Sequence, residues 1–391
     1  MYTIQTFNKI SEKGLCRLPR QEYQVGPDQQ DADAILVRSQ VLSSANLNPN
    51  LKAVARAGAG VNNIPVEEYT KQGVVVFNTP GANANAVKEL VLCGMLLASR
   101  GIVQGIEWVN QQDPGTDYAA LNKLMEAQKA NFKGGELAGK TIGVIGLGAI
   151  GALVAEAAIH LGMRVLGYDP AITVDAAWRL ANQVEKQENL NSLISRSDFV
   201  TLHLPAIEAT KNLIDGKIIN YFKSGAVLLN YSRDAIVDTS AVLEGLDNGR
   251  LGCYVTDFPM PSLLKHPKAI LMPHIGASTD EAEDNCAIMA ADQLRGFLEH
   301  GNIRNSVNFP ALTLERSGAA VARLAVVNQN VPGMLGQVLS ILANRGINVV
   351  DMLSKSRGDI AYNLIDLAGA PTAETLAEIR AIEQVVKAWT L

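Results

Sequence analysis

The sequence predicts an α/β protein: two doubly wound parallel-sheet domains followed by a small ferredoxin-like βαββαβ sandwich. Three observations carry that prediction. Short apolar runs alternate with helix-length segments over roughly the first three hundred residues. A strand at 141–145 runs into the turn Gly146-Leu147-Gly148-Ala149-Ile150-Gly151, and a helix follows. Beyond a Pro-, Asn- and Ser-containing stretch at 301–318 the rhythm changes to strands in quick succession. The composition agrees. At 391 residues, 48% hydrophobic and 19% charged, the chain holds enough apolar matter for two or three cores and is unlike a disordered one. A net charge of −5 argues against a general nucleic-acid-binding face.

Taken in order, 34–37, 51–55 and 74–77 are brief apolar runs that each lead into a polar or glycine-containing turn, the pattern of parallel strands. Residues 85–99 read as a long, mostly buried helix. Its run 90–98 is the longest apolar stretch, far short of the ~20 residues that span a bilayer. The first ten residues alternate polar and apolar side chains without the apolar block of a signal peptide. From 141 the alternation is clearest: strand 141–145, helix 148–161, strand 164–168, and further strands at 199–202, 226–229, 253–255 and 270–272. A second long helix covers 280–300.

After the linker, 319–327 reads as a strand, and Leu335, Val338, Leu339 and Leu342 share one helical face. Strands at 348–354 and 361–367 flank an Arg357-Gly358-Asp359 turn, a helix covers 372–382, and 385–389 closes the sandwich. The four cysteines form no CxxC pair and are expected to be free thiols in a reducing cytoplasm, with no metal site.

The glycine turn carries the first chemical reading. Gly146 allows the tight turn, Gly148 lets backbone approach a pyrophosphate, and Gly151 lets the helix pack on the strand, with the helix N-terminus offering N–H donors. The next strand ends at Asp169, placed to hydrogen-bond the hydroxyls of an adenosine ribose. No arginine follows in 170–174 to accept a 2′-phosphate, so the expected dinucleotide is NAD.

Five histidines limit the choice of a general base. His160, His266 and His300 sit at a helix, before a proline in a loop, and at a helix C-terminus, where structural roles suffice. His203 and His274 each follow an apolar strand, at the carboxyl end where ligands bind open parallel sheets, and position does not choose between them. Arg233 follows the strand 226–229 and suits either a substrate carboxylate or a salt bridge to Asp234 or Asp238.

Together, the glycine turn, Asp169, Asn230-Tyr231-Ser232-Arg233, Asp257 and Pro273-His274-Ile275-Gly276-Ala277-Ser278-Thr279 resemble the D-isomer-specific 2-hydroxyacid dehydrogenases, in both order and spacing, over residues 1 to about 308. The segment containing Asn328-Gln329-Asn330-Val331-Pro332-Gly333 resembles an ACT domain, a module that binds amino acids. The resemblance implies three domains: 1–95 with 281–308 for substrate, 96–280 for NAD, and 318–391 for regulation. It implies His274 as acid/base and Arg233 as the holder of the carboxylate and C2 oxygen. Gly146, Gly148, Ala149, Ile150, Gly151, Asp169, Leu204, Tyr231, Ser232, Arg233, Asp257, His274, Gly276, Ala277 and Thr79 would surround the cofactor. Arg38 and Arg56 would meet the substrate's carboxylate or phosphate, with 3-phospho-D-glycerate the substrate that the loops 56–62 and 78–80 suggest. Asn328, Asn330 and Asn348 would contact an effector, L-serine, and the chain would form a homo-oligomer.

One position departs from the family pattern. Five residues after Asp257, where the family carries a glutamate that orients the imidazole, stands Ser262. A hydroxyl there would support the imidazolium less than a carboxylate. The alternatives are a related dehydrogenase acting on 2-oxoglutarate or another hydroxyacid, and an NAD-sensing binding protein without catalysis.

Overall fold

The computed structural model describes residues 1–391, apart from the side chain of Asp175. The chain forms two compact units, Met1–Asn83 with Thr279–Leu391, and Ala84–Ser278.

The first unit holds five parallel strands, β1 (Tyr2–Phe7), β2 (Tyr23–Gly26), β3 (Ala34–Val37), β4 (Ala53–Arg56) and β5 (Val75–Phe77), in the order β2-β1-β3-β4-β5. The strands β1 and β2 are additions to the sequence reading. They mix polar with apolar side chains, and only Ile4 and Tyr23 among them are buried, so no apolar run marks them. On one face lies the helix Asp280–His300, whose Ala287, Ala290, Ala291, Leu294 and Phe297 form a stripe that is at most 1% exposed. Small residues on that stripe let the helix seat closely on Ala34, Ala53 and Val75. The other face packs on Tyr69 of the helix Val66–Lys71.

The second unit contains seven parallel strands: β6 (Thr141–Ile145), β7 (Arg164–Tyr168), β8 (Glu185–Lys186), β9 (Phe199–Leu202), β10 (Ala226–Asn230), β11 (Leu251–Thr256) and β12 (Ala269–Leu271). Their order, β12-β11-β10-β9-β6-β7-β8, reverses direction between β6 and β9, which makes that pair of strand ends the topological switch point. The helices Ala84–Ser99 and Ala149–His160 belong to this unit. In the first of them a side chain on Gly94 would meet the Tyr231 hydroxyl at 2.3 Å, so glycine permits the helix to lie against that residue.

The C-terminal segment is a four-stranded antiparallel sheet of β13 (Ala322–Gln329), β14 (Val349–Arg357), β15 (Ile360–Leu367) and β16 (Val385–Thr390), in the order β14-β15-β13-β16. The helices Met334–Asn344 and Ala373–Arg380 cover the face that carries Leu324, Val326, Ile365 and Leu367. The opposite face presents Ala325, Val327, Tyr362, Leu364 and Trp389 to Phe297 and Phe309, in one core with the five-stranded sheet. All eight residues of β15 are buried because both faces are covered. The segment that the sequence reads as linked by 301–318 is therefore docked, and Arg323 is its bolt. The Arg323 guanidinium is fully buried, pairs with Asp366, and donates to the carbonyls of His300 and Leu314 at 2.9 Å each.

All four cysteines are free, Cys253 and Cys286 buried and Cys16 and Cys93 exposed. No described helix is long and apolar enough to cross a membrane.

Candidate active site

In the second unit, Gly146 leaves β6 with φ +89°, and its N–H donates to the Tyr168 carbonyl at 2.9 Å. A Cβ there would come within 2.3 Å of the His203 carbonyl, so the turn and the close approach of β9 both require glycine. A Cβ on Gly151 would lie 2.0 Å from the Gly146 carbonyl oxygen, so the helix Ala149–His160 rests directly on the turn. Gly148 behaves differently: a Cβ there would meet no heavy atom within 4 Å. It is the N-cap of that helix, without a capping side chain, and Gly148 and Ala149 are exposed. The result is an open cradle of backbone N–H groups at a helix N-terminus, which fits a pyrophosphate. Asp169, at the end of β7, accepts from the Leu147 N–H and the Ala171 N–H, both at 2.9 Å. Each carboxylate oxygen keeps a further lone pair for a ribose hydroxyl. The residues present fit a dinucleotide.

At the ends of β10 and β11 the chain builds a second arrangement. Asn230 is fully buried; its Nδ2 donates to the Arg233 carbonyl at 2.9 Å and its Oδ1 accepts from the Ser232 N–H at 3.1 Å. That brace presents the exposed Arg233 side chain, whose Nη1 donates to the Ser232 carbonyl at 2.6 Å. Among the described residues Arg233 makes no ion pair. Asp238, one of its possible partners by sequence, instead caps the helix Thr239–Asp247. The Ser232 hydroxyl donates to the Leu202 carbonyl and accepts from the Leu204 N–H, tying β10 to the segment that follows β9. Tyr231 is buried against Met272, facing the core rather than an open surface.

His274 is exposed and sits at φ +56°, a left-handed conformation that a non-glycine residue adopts only under constraint. The constraint is visible. Asp257, 2% exposed, accepts from the Ile275 N–H at 2.8 Å and from the Gly276 N–H at 2.7 Å, clamping the backbone just beyond the histidine. The Phe258 ring stands 4.9 Å from the imidazole centroid. Ala277 is exposed on the same loop.

His203 has a different environment. Its Nε2 is 2.9 Å from the Thr201 hydroxyl, its Nδ1 is buried without a partner, and burial pushes its pKa down to about 3. It is held neutral and turned inward. Position in the sequence ranks the two histidines equally; burial separates them.

Ser262 is the position that departs from the family pattern. It is exposed on the turn Pro261–Leu263, beside Ser240, Leu243, Glu244, Asp247 and Asn248, and no hydrogen bond joins it to His274 among the described residues. The groups that hold His274 are Asp257 and Phe258. Asn230 and Phe258 are the contributors that sequence reading missed. The signal for Asn230 was its place at the end of a fully apolar strand, and for Phe258 its adjacency to a buried aspartate.

In the first unit, Arg38 and Arg56 lie at the carboxyl ends of β3 and β4, and Thr79 follows β5. The Arg56 Nε donates to the Arg38 carbonyl at 3.0 Å and its Nη1 to the Gly60 carbonyl at 2.5 Å, while Arg38 is hydrogen-bonded to Glu283. Thr79 is fully buried, its N–H donating to the Gly58 carbonyl at 3.1 Å. Of the effector candidates, Asn328 is buried and bonded to Asn363, and the exposed Asn330 donates to the Gly358 carbonyl. Asn348 lies at the other end of the sheet, since its neighbour Val349 pairs with Leu367, which pairs with Ala322. Six residues of β13 at ~3.3 Å each separate Ala322 from Asn328, about 20 Å.

The chain resembles known proteins over most of its length. Residues 92–276 match the model of the D-isomer specific 2-hydroxyacid dehydrogenase NAD binding domain, and residues 322–384 match the ACT domain. The D-3-phosphoglycerate dehydrogenase of Escherichia coli K12 is 31% identical over 356 residues, covering 88% of this chain and 82% of its own length. The enzyme of that name from Methanocaldococcus jannaschii is 34% identical over 349 residues, covering 86% of this chain; the match spans 62% of that longer protein. Among solved structures, NAD+-bound 3-phosphoglycerate dehydrogenase of Entamoeba histolytica superposes with a TM-score of 0.61 at 25% identity, over 80% of this chain and 99% of that one. The holo D-mandelate dehydrogenase of Rhodotorula graminis shares the fold, with a TM-score of 0.68 at 21% identity over 80% of this chain and 99% of that one. With a relative 31% identical along 82% of its length and the family's NAD binding domain matched at residues 92–276, the chain belongs to the D-isomer-specific 2-hydroxyacid dehydrogenase family.

Proposed function

We propose that the chain oxidises 3-phospho-D-glycerate to 3-phosphohydroxypyruvate, the entry to phosphorylated serine synthesis, with L-serine acting at the C-terminal sandwich. The observation that carries this reading is the alignment with the Escherichia coli relative, which runs through 82% of that protein's length. We assign residues 1–95 and 281–308 to substrate, 96–280 to NAD and 318–391 to regulation, a division whose first boundary falls inside the helix Ala84–Ser99 of the second unit.

The Gly146–Gly151 turn and Asp169 would hold NAD, which would supply the hydride acceptor. The exposed His274 takes the proton of the C2 hydroxyl, its backbone held in place by Asp257. The Arg233 guanidinium binds the substrate carboxylate and steadies charge developing on the C2 oxygen. Arg38 and Arg56 take the anionic far end of the substrate. His203 is unsuited to proton transfer at neutral pH because its Nδ1 is buried and its Nε2 is bonded to Thr201. Since Asn348 lies about 20 Å along the sheet from Asn328, a ligand touching all three asparagines needs Asn348 from a second copy, which supports a homo-oligomer.

NADH formation with 3-phospho-D-glycerate tests the reading. His274→Asn is expected to lower kcat/KM by about 10²–10⁴, while His203→Asn retains most of it. Near-wild-type turnover in His274→Asn would overturn the assignment. Turnover of a 2-hydroxyglutarate/2-oxoglutarate pair in place of the phosphate substrate would move the specificity. NAD binding without turnover of any hydroxyacid would leave a binding protein. Calorimetry with L-serine tests the effector separately.

A further inference from the structure

The first unit brings Arg38, Arg56, Thr79, Glu283 and Cys286 together. Arg56 is braced by backbone carbonyls at residues 38 and 60. Arg38 is not braced that way: its guanidinium is taken by Glu283, in the first turn of the helix Asp280–His300, and the two side chains are 42% and 40% exposed. One turn further on, Cys286 is buried beside Thr79, near enough to both arginines for their charges to act on its thiol.

The ion pair has two properties that matter for ligand binding. Both side chains are half in solvent, so either can exchange its partner for water or for an incoming anion without leaving a buried charge. The Glu283 carboxylate reaches Arg38 through a single oxygen, Oε1, on a single guanidinium nitrogen, Nη2. Its place in the first turn of a 21-residue helix suits a carboxylate even when Arg38 is gone.

We propose that Glu283 is an internal counter-anion, occupying Arg38 until the anionic end of the substrate displaces it. This rests on Arg38 being a substrate anchor, as assigned above. Binding at Arg38 is then an exchange of one carboxylate for another anion rather than the formation of a new pair. A phosphate competes well, because it brings about twice the charge and a bidentate fit to guanidinium. A neutral end has nothing to exchange, so Glu283 affects anionic-ended substrates and leaves neutral-ended ones alone.

The test is Glu283→Gln, read as KM for 3-phospho-D-glycerate, KM for D-glycerate, and the Kd of inorganic phosphate by calorimetry. Removing the competitor is expected to lower the first and third by about two- to fivefold, and to leave the second unchanged. Glu283→Asp keeps the charge and is expected to stay near wild type. If Glu283→Gln raises KM for the phosphate substrate, the carboxylate holds Arg38 in its binding pose and the proposal is overturned; no change overturns it as well. Arg38→Ala separates the two layers. If it weakens phosphate and substrate while Glu283→Gln fails to tighten them, the anchor stands and the counter-anion falls. If Arg38→Ala changes neither, anchor and counter-anion fall together. Phosphate binding is independent of turnover, so it decides the matter even if the substrate is a different hydroxyacid.

Discussion

Replacing Arg323 by methionine removes the bolt that fastens the C-terminal sheet to the rest of its unit. The guanidinium makes four hydrogen bonds: Nε and Nη2 to the Asp366 carboxylate at 2.6 and 2.9 Å, and Nη1 to the carbonyls of His300 and Leu314. Both partners of the ion pair have side chains that are 0% exposed. Methionine fills most of the volume, but the carboxylate is then left with the Ser317 N–H at 3.1 Å, and two carbonyls lose a donor. Breaking a buried pair in this way costs about 3–5 kcal/mol, and the orphaned carbonyls argue for the upper end. For a unit of this size that corresponds to a fall in Tm of about 6–20 °C. Urea unfolding, followed by circular dichroism and tryptophan fluorescence, measures it. Adding Asp366→Leu removes the stranded charge and is expected to return about half of the loss, leaving the cost of the two carbonyls. A single variant within 1 kcal/mol of wild type, as an approximate threshold, would refute the reasoning. The pair also sets an acid limit. Burial alone would raise the Asp366 pKa, but the Arg323 hydrogen bonds and the Ser317 N–H outweigh it and hold the carboxyl below its ordinary range. Its contribution is therefore complete above the unfolded carboxylate pKa of about 4 and is lost as pH falls below that.

Other expectations follow from single contacts. With a folded pKa of about 3 against about 6.5 unfolded, His203 makes stability fall by up to about 1.4 kcal/mol per pH unit from pH 6.5 downward; His203→Asn should flatten that slope in urea titrations run between pH 4 and 7. Gly151→Ala would place a methyl 2.0 Å from the Gly146 carbonyl and must push the helix off the turn, so NAD affinity measured by calorimetry is expected to fall more than about tenfold. Phe258→Leu frees the imidazole from its ring contact and is expected to lower kcat by about ten- to a hundredfold with KM within about twofold. A rise in KM at constant kcat would instead place Phe258 in substrate binding.

Much of this protein was legible in local sequence, for a physical reason. Parallel strands buried on both faces must be apolar runs, so β3 through β7 and β9 through β12 announced themselves, whereas the mixed strands β1 and β2 and the two-residue β8 did not. The glycine turn was legible because left-handed φ at Gly146 and close approach at Gly151 exclude side chains. Residue spacing placed Arg233 and His274 at strand ends, since chain direction in a parallel sheet dictates which turns share an edge.

What local sequence determined was therefore the order of elements, the dinucleotide turn and the set of candidate groups. Tertiary packing decided how they are used. It turned the His203 ring inward, with Nδ1 buried, and left His274 in solvent, a difference that their like positions after apolar strands do not reveal. It set Phe258 and Asp257 against His274, and put Ser262 beside Ser240 and Asp247. It also docked a segment that looked tethered, because Arg323 finds Asp366 43 residues away and the His300 carbonyl 23 residues away. Burial and charge pairing depend on residues distant in the chain, and so they were settled only when the chain had folded.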